Sequence, residues 1–291
     1  MFGRVITAMA TPFTADGSLD LERARGLAQH LVANGSDGLV VCGSTGESPT
    51  LTFEEKRDLI AAVAEAVSGR ADVIAGTGTY DTRESIHLSQ MAAAQGANGL
   101  LVVTPYYSRP PQSGLLAHFK AIAGATELPM ILYDIPGRTA RKIEHATLLA
   151  LAETPNIIGV KDAAADLAGT AKLAAEKPAD FTIWSGDDAL TLPMLSVGAH
   201  GVISVAAHLA GARIAEMIAA YTKGDTEGAA AIQRELTPLF EVLFITSNPI
   251  PLKAALAMVG QPAGEPRLPL VPATEAERSQ IRTVLDSLGV G

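Results

Sequence analysis

The sequence has 291 residues, a formal net charge of −9 and a single cysteine, Cys42. This length is enough for one large domain or two small ones, the acidic balance argues against non-specific nucleic-acid binding, and one cysteine excludes an internal disulfide framework. The opening stretch "MFGRVITAMATPF" lacks a charged leader followed by a long apolar core, and no run approaches the roughly 18 apolar residues of a membrane span. We therefore expect a cytoplasmic protein without a signal peptide or a membrane segment.

Short apolar segments rich in β-branched residues recur through the first 205 residues. They occupy positions 4–10, 38–42, 72–76, 99–105, 129–136, 157–162, 181–188 and 201–205. None of them alternates apolar and polar residues in the way of a half-exposed strand. Continuous apolar runs of this length are typical of parallel strands that are covered on both faces.

Helical patterns lie between these strands. The stretch 20–35 begins with an aspartate suited to an N-cap and ends in Asn-Gly. The next helix opens with the capping box Thr52-x-x-Glu55. The stretch 81–96 again begins with an aspartate and ends at a glycine, which can close a helix in the left-handed conformation.

Eight strands separated by helices predict a (β/α)8 barrel of the α/β class, because parallel strands need crossovers and a helix is the usual one. The alternative is an open doubly wound sheet with a nucleotide site. Its nearest glycine fingerprint, at 76–78, has Asp81 where the third glycine belongs. More helix follows residue 225 than a barrel needs. We therefore predict a catalytic barrel over 1–225 and a C-terminal helical appendage over 226–291.

Polar residues follow several of the predicted strands, at the end of a barrel where active sites lie. These segments are "GSTGES" at 43–48, "TPYY" at 104–107, "YDIPGR" at 133–138, Lys161-Asp162, and "SGDD" at 185–188. Hydroxyls, a lysine and an arginine are therefore expected to converge on one face of the barrel.

Lys161 is the strongest candidate for chemistry. Burial penalises a charged amine, and the neutral amine is the form that attacks a carbonyl to give a Schiff base. The preceding residues Ile157, Ile158 and Val160 would supply an apolar wall around it. The alternative is a lysine that ends its strand and reaches solvent with its ammonium group. Position alone does not separate the two interpretations.

Three other segments also have a chemical and a purely structural interpretation. Tyr133 is suited to proton transfer or to a place in the core. The turn 43–46 is suited to binding a carboxylate through its backbone N–H groups and the hydroxyls of Ser44 and Thr45, or is an ordinary tight turn. Arg138 suits a substrate carboxylate or the surface. None of the histidines has metal-ligand spacing, so no metal is expected.

Five segments match a known family in order and spacing. They are "GSTGES", "VVTPYYSRP", "LYDIPGRT", "IIGVKDA" and "SGDDAL". On these motifs the chain resembles, over essentially its whole length, the dihydrodipicolinate synthase and N-acetylneuraminate lyase superfamily of class I aldolases. Arg138 favours the synthases, because the neuraminate lyases usually lack this arginine. The resemblance implies condensation of pyruvate with L-aspartate 4-semialdehyde to 4-hydroxy-tetrahydrodipicolinate, the first committed step of diaminopimelate and lysine biosynthesis.

The resemblance also implies four catalytic residues. Lys161 would form the imine with pyruvate, and Tyr133 would move protons during imine formation and cyclisation. Ser44 stands where the synthases usually carry threonine, and it would link Tyr133 to Tyr107. Tyr107 would reach into the active site of the neighbouring subunit, so a dimer is the expected catalytic minimum and a tetramer of two dimers the expected assembly.

Substrate binding and cofactor use follow from the same resemblance. Thr45 and its backbone would hold the pyruvate carboxylate, and Arg138 would hold the carboxylate of the aldehyde. Gly186 and the backbone of Ile203 would line the pocket near the Schiff base. Neither a metal nor an organic cofactor is implied, because the covalent imine on Lys161 serves as the electron sink.

Lysine-inhibited members of the superfamily have an interface pocket for the amino acid. Its matching positions in this sequence are Ser48, Phe53, Lys56, Tyr80, Glu84 and Tyr106. Phe53, Lys56 and Tyr80 depart from the usual histidines and asparagine. A second cation at Lys56 would repel the lysine side chain, and Phe53 and Tyr80 would fill space, so weak or absent feedback inhibition is expected.

Two other functions stay open at this stage. One is another pyruvate-dependent class I lyase of the superfamily, which would cleave N-acetylneuraminate or 2-keto-3-deoxygluconate. The other is a non-catalytic barrel that binds a keto acid as a sensor. Arg138 argues against the first, and the joint presence of Lys161, Tyr133 and Tyr107 argues against the second.

Overall fold

Eight parallel strands close into a barrel in the computed structural model of the chain, which describes residues 1–290. The strands are β1 (Val5–Ala8), β2 (Gly38–Val41), β3 (Asp72–Gly76), β4 (Gly99–Val103), β5 (Met130–Asp134), β6 (Ile157–Asp162), β7 (Thr182–Ser185) and β8 (Gly201–Ser204). Each strand pairs with the next along the chain, and β8 pairs with β1. The predicted barrel is confirmed, and the open sheet is wrong.

Helices connect the strands on the outside of the barrel and continue beyond it. Within residues 1–290 they are α1 (Leu21–Ala33), α2 (Phe53–Val67), α3 (Thr82–Ala94), α4 (Gln112–Ala123), α5 (Pro136–Thr139), α6 (His145–Ala152), α7 (Leu167–Glu176), α8 (Thr191–Ser196), α9 (Ala207–Thr222), α10 (Thr226–Val242), α11 (Ile250–Met258) and α12 (Glu275–Leu288). A short 3-10 helix spans Ser48–Thr50. None of these helices combines the length and the apolar character that crossing a membrane requires.

The local signals in the sequence place the helix ends correctly. Asp20 caps α1 by accepting a hydrogen bond from the N–H of Arg23. Both halves of the capping box between Thr52 and Glu55 form at the start of α2. Gly96, with φ of 85°, follows α3 in the left-handed conformation. These signals act over a few residues, so they do not depend on the tertiary structure.

Two apolar clusters sit on either side of the barrel wall. The larger one lies between the strands and the surrounding helices. The inner one contains Phe2, Ile6, Ala8, Val40, Ile74, Leu101, Ile131, Tyr133, Trp184 and Ile203. Because both faces of each strand are buried, the strands read as continuous apolar runs.

The N-terminal segment closes the end of the barrel where the strands begin. The phenyl ring of Phe2 joins the inner cluster and approaches Gly99, the first residue of β4, so closely that a Cβ there would overlap it. The indole of Trp184 donates a hydrogen bond to the carbonyl of Gly3 at 3.0 Å. Access to the interior is therefore left to the other end, where the strands finish.

The C-terminal helices α10, α11 and α12 form the region predicted to follow residue 225, of which Gly291 lies outside the described residues. The helix α12 packs against both α10 and α11. The segment that leads into α11 carries Ser247 and Asn248, and both line the cavity at the barrel mouth. The appendage therefore contributes directly to the surroundings of the strand ends.

Candidate active site

A cavity of about 360 Å³ opens at the C-terminal ends of β2 to β5. Ser44, Tyr133 and Arg138, each predicted to be a site residue, line its wall together with Asn248. Ser48, Lys56 and Tyr106 line a part of the same cavity, the groove beside Lys56. The ends of β2 to β5 thus surround an open space large enough for a small substrate. Lys161, Asp162 and the segment 185–188, which the sequence predicts to converge on the same face, do not line this cavity.

Lys161 lies at the end of β6 and is only 5% exposed. The strand register places it between Tyr133 on β5 and Trp184 on β7. Its Nζ lies 4.3 Å from the centroid of the Tyr133 ring. Within residues 1–290 no carboxylate oxygen lies within 4.0 Å of this nitrogen. The side chain is therefore largely buried, and its amine has no ion-pair partner in the described part of the chain.

The apolar wall around Lys161 differs from the one predicted. Ile158 packs against the inner cluster as expected. Ile157 and Val160 instead belong to the outer cluster, so the prediction for these two residues is wrong. Side chains of a strand point to both faces of the sheet, and a run that is apolar on both faces does not reveal which ones point inward. The in-register neighbours Tyr133 and Trp184 supply inner apolar surface beside the lysine.

The proposed proton relay is only partly assembled within one chain. Tyr133 is 5% exposed and shares the cavity with Ser44. Among the side-chain hydrogen bonds of residues 1–290, none joins Ser44, Tyr133 and Tyr107. Tyr107 is 93% exposed, does not line the cavity, and has a left-handed backbone with φ of 67°. Its phenol is therefore free for a contact outside its own subunit.

Thr45 is held by the C-terminal region. It is 3% exposed and lies behind the residues that line the cavity. Its Oγ1 accepts a hydrogen bond from Nδ2 of Asn248 at 2.9 Å. The neighbouring Gly46 carbonyl accepts a hydrogen bond from Oγ1 of Thr11 at 2.6 Å. The turn predicted to bind a carboxylate is thus fixed by partners outside its own sequence.

Arg138 sits on the short helix α5 and faces the cavity. Its Nη2 donates a hydrogen bond to the carbonyl of Asn248 at 3.3 Å. No carboxylate of the described residues lies within ion-pair distance of its guanidinium. An arginine oriented by a backbone carbonyl and left without an anionic partner is suited to bind the carboxylate of a ligand.

Gly186 and Ile203 lie on the side of the mouth formed by β6 to β8. The N–H of Gly186 donates to the carbonyl of Asp162 at 2.7 Å, and a Cβ at this glycine would approach that of Ala163 to 2.7 Å. Ile203 is 1% exposed in the inner cluster. Neither residue lines the cavity described above, which is bounded by the ends of the earlier strands.

Two other acidic or nucleophilic groups near the mouth have structural roles. The buried carboxylate of Asp188 accepts hydrogen bonds from the hydroxyl of Ser204 and the N–H groups of Val205 and Ala206, where α9 begins. Burial raises the pKa of the Cys42 thiol to about 12, so the thiol stays protonated and is a poor nucleophile. Within residues 1–290 no group of three or more His, Cys, Asp or Glu side chains is placed to hold a metal ion.

The six positions matching the lysine pocket are divided between the groove and its surroundings. Ser48, Lys56 and Tyr106 line the groove. The three others, which are Phe53, Tyr80 and Glu84, do not line it in this chain. The ring of Phe53 instead stacks on His87 with 4.6 Å between centroids, and Tyr80 packs edge-on against Tyr106.

The residues that hold the turn 43–47 from outside are not among those predicted from the sequence. Asn248 contacts Thr45 and Arg138, and Lys253 forms a buried ion pair with Glu47. One signal was present: Lys253 is the one charged residue in the apolar helix α11. A charge in an apolar element marks a buried partner or function, although the sequence does not show which.

The match with known proteins covers nearly all of the chain. The model of the dihydrodipicolinate synthetase family matches residues 1–288. The 4-hydroxy-tetrahydrodipicolinate synthases of Moorella thermoacetica and Thermosynechococcus vestitus are 58% and 56% identical to it, over 99% of this chain and at least 98% of each relative.

Solved structures agree with the sequence comparison. A dihydrodipicolinate synthase from Cyanidioschyzon merolae, solved with lysine bound, superimposes with a TM-score of 0.98 at 46% identity and covers 100% of this chain and 99% of its own. A monomeric dihydrodipicolinate synthase variant superimposes with a TM-score of 0.97 at 40% identity, covering 100% of this chain and 98% of its own. The barrel, the strand-end motifs and these full-length similarities lead to one conclusion: the chain belongs to the dihydrodipicolinate synthetase family.

Proposed function

We propose that the protein is a 4-hydroxy-tetrahydrodipicolinate synthase, which condenses pyruvate with L-aspartate 4-semialdehyde. The observation that carries this proposal is the placement of Lys161, largely buried and without an ion-pair partner among residues 1–290, beside Tyr133, with Arg138 at the same end of the barrel. The full-length relatives named above bear this activity in their names. They favour condensation over the cleavage of sugar acids and over a non-catalytic role.

In the proposed reaction Lys161 first forms a covalent bond with pyruvate. The neutral amine attacks the keto carbon, and loss of water gives a protonated imine. This imine withdraws electrons, so a proton leaves the methyl group of pyruvate and an enamine forms. Tyr133 is the phenol nearest to the amine, and it is suited to carry the protons that the addition and the loss of water require.

The enamine then forms the new carbon–carbon bond. Its terminal carbon attacks the aldehyde carbon of the second substrate, the aldehyde oxygen takes up a proton, and the imine is restored. The amine of the substrate adds to the imine carbon, and Lys161 leaves as the free amine when the ring closes. The imine supplies the electron sink, so we propose that the reaction uses neither a metal nor an organic cofactor.

Recognition of the second substrate is assigned to Arg138. Both substrates carry a carboxylate, and the guanidinium at the mouth lacks an anionic partner among the described residues. A short aldehyde with its own carboxylate gains a charge-assisted contact there, whereas a polyol chain does not. The pyruvate carboxylate is assigned to the turn around Ser44 and Thr45, whose glycines allow N–H groups to converge.

We further propose a homodimer as the catalytic unit and a tetramer of two dimers as the assembly. The 93% exposure of Tyr107 supports this, since its phenol is placed to enter the site of a neighbouring copy. The single cysteine fits a reducing compartment, and amino-acid biosynthesis from pyruvate fits the cytoplasm.

Trapping the imine tests the proposal directly. The protein is incubated with pyruvate and borohydride, and the reduced adduct is located by mass spectrometry of peptides. We expect one adduct on Lys161 and none when pyruvate is omitted. Absence of an adduct on Lys161 would contradict every enzymatic interpretation.

A product assay then separates the enzymatic alternatives. Condensation of pyruvate with aspartate semialdehyde is compared with cleavage of N-acetylneuraminate and of 2-keto-3-deoxygluconate, under the same conditions. We expect turnover only in the condensation. Faster cleavage of either sugar acid would show that Arg138 does not select the proposed aldehyde.

A further inference from the structure

A buried ion pair links the C-terminal appendage to the turn that follows β2. Nζ of Lys253 on α11 lies 2.6 Å from Oε1 of Glu47, and each side chain is 1% exposed. The same Nζ lies 4.2 Å from the centroid of the Phe13 ring. Burial lowers the pKa of the Lys253 ammonium, and the carboxylate of Glu47 opposes that shift.

Glu47 is itself held in an unusual position. Its backbone is left-handed, with φ of 54°, and its Oε2 accepts a hydrogen bond from the N–H of Arg267 at 2.9 Å. The guanidinium of Arg267 covers the Phe13 ring from 4.2 Å. Glu47 ends the turn that begins at Gly43, so contacts from two segments of the appendage fix that end of the turn.

Asn248 makes a second link between the appendage and the turn. It immediately precedes Pro249, the residue before α11, and is 6% exposed. Its side-chain amide donates to Oγ1 of Thr45, and its backbone carbonyl accepts from Arg138. Asn248, just before α11, therefore contacts both residues assigned to substrate carboxylates, Thr45 and Arg138.

A buried ion pair is a poor way to gain stability. Removing two charges from water costs about as much as their attraction returns, and neutral residues of similar volume are often as stable or more so. The other residues of α11 are apolar and six of them are buried, so the helix would pack without Lys253. What the pair adds is one defined geometry between α11 and the turn.

We propose that Lys253, Glu47 and Asn248 are positioning residues, through which helix α11 sets the place of Thr45 and Arg138 and hence the affinity for both carboxylate substrates. The inference rests on the proposed function. Lys253 and Glu47 act on both substrates, because they fix α11 relative to the turn. The Asn248 side chain acts on pyruvate alone, because its contact with Arg138 is made by the backbone carbonyl.

Removing both charges of the pair tests the proposal without leaving one of them buried alone. The variant Glu47→Gln with Lys253→Met keeps the side-chain volumes close to the original. We expect a folded protein whose KM values for pyruvate and for the aldehyde each rise by about tenfold or more. At saturating pyruvate, borohydride should still trap the adduct on Lys161.

A matched control comes from the ion pair of Arg213 and Glu235, which joins α9 to α10 far from the cavity. The variant Arg213→Met with Glu235→Gln removes the same charges from the C-terminal half, and we expect native KM values for it. If the Glu47 and Lys253 variant is folded with both KM values unchanged, the pair is only structural and the proposal fails. An absent adduct in the native protein would instead sink the proposed function.

A second variant keeps the proposal testable if the double variant does not fold. Asn248→Ala deletes the amide and retains the backbone carbonyl that holds Arg138. We expect a rise of about tenfold in KM for pyruvate, the net value of one neutral hydrogen bond, with KM for the aldehyde unchanged. A lower melting temperature with both KM values unchanged would overturn the positioning role.

Discussion

The amine of Lys161 lies 4.3 Å from the centroid of the Tyr133 ring, and the two residues occupy the same register on neighbouring strands. Parallel pairing of β5 and β6 fixes this proximity, because residues in register share one level of the barrel. The ring offers its face to a cation and its phenol to proton transfer. The relationship therefore places the proposed nucleophile beside the proposed proton carrier without any loop in between.

Replacing Lys161 separates catalysis from stability. Lys161→Ala should lower turnover by about 10³-fold or more, because the nucleophile itself is lost. Lys161→Met should be equally inactive and more stable than the native chain by about 1 kcal/mol, because it removes a buried amine that has no ion-pair partner among residues 1–290. Steady-state kinetics and thermal unfolding measure the two effects. Appreciable turnover in either variant would refute the imine.

Removing the phenolic hydroxyl of Tyr133 tests its role in proton transfer. Tyr133→Phe keeps the ring beside Lys161 and should slow turnover by about 10²-fold or more. The borohydride adduct should form more slowly and still map to Lys161. Native rates of both adduct formation and turnover would leave Tyr133 with a packing role only.

Arg138→Ala should weaken binding of the aldehyde and leave pyruvate binding alone. Loss of one charge-assisted contact should raise KM for aspartate semialdehyde by roughly 10- to 100-fold. Initial-rate kinetics in each substrate measures the two KM values. Arg25→Ala, which removes a surface cation paired with Glu65, is the control. Equal increases in both KM values would contradict a specific role.

Mixing two inactive variants tests whether Tyr107 acts across subunits. If Tyr107 acts in the neighbouring subunit, a heterodimer of the two variants contains one site with both native residues. Its Lys161 comes from the Tyr107→Phe subunit, and its Tyr107 comes from the Lys161→Ala subunit. Refolding an equimolar mixture should then restore about a quarter of native activity. Tyr133→Phe mixed with Lys161→Ala is the control, because both residues lie in one subunit and no native site can form. No recovery in the first mixture would place Tyr107 in its own subunit.

The groove beside Lys56 should make the protein insensitive to L-lysine. A cation in the groove disfavours a second ammonium, and within residues 1–290 no carboxylate oxygen lies within 4.0 Å of the Lys56 amine. Activity assays in millimolar L-lysine should show little or no inhibition. Lys56→His should raise the sensitivity to L-lysine. Lys172→His, at an exposed position on α7, is the control and should not raise it. Strong inhibition of the native protein would show that Lys56 does not exclude the ligand.

The buried His208 should make the fold sensitive to acid. Its Nε2 accepts from the N–H of Ala10 and its Nδ1 donates to the carbonyl of Val205, so the ring is satisfied when neutral. Burial lowers its pKa to about 4, against an ordinary value of 6.5. Between these values the His208 imidazole binds more protons in the unfolded chain than in the folded one. The stability that this group contributes above pH 6.5 is therefore lost as the pH falls towards 4, by about 3 kcal/mol in total.

Chemical unfolding at a series of pH values measures this effect. His208→Gln should remove the uptake of about one proton that accompanies unfolding between pH 4 and 6.5. The free energy of unfolding should therefore depend less on pH in this range. His30→Gln, at a partly exposed position on α1, should retain the native slope. An unchanged slope for His208→Gln would mean that another group governs the acid transition.

Local sequence signals predict helices and strands well. They reveal a functional side chain only where that residue interrupts the pattern of a helix or strand. Lys161 stood out because a charge ends an apolar strand, and Arg138 because it follows Pro-Gly after another strand. Lys253 also interrupts an apolar element, but neither it nor Asn248 revealed its partner, because those partners are remote along the chain. The side-chain contact of Asn248 with Thr45 joins residues 203 positions apart.

By itself the sequence determined the eight strands, the capped helices between them and the lysine at the end of β6, because hydrophobic runs and caps act within a few residues. Only the tertiary structure decided that Ile158 faces the barrel interior while Val160 faces the helices. It alone brought Glu47 to Lys253, because packing of α11 against the barrel creates that contact. Contacts between distant segments depend on how whole elements pack, and no local pattern encodes them.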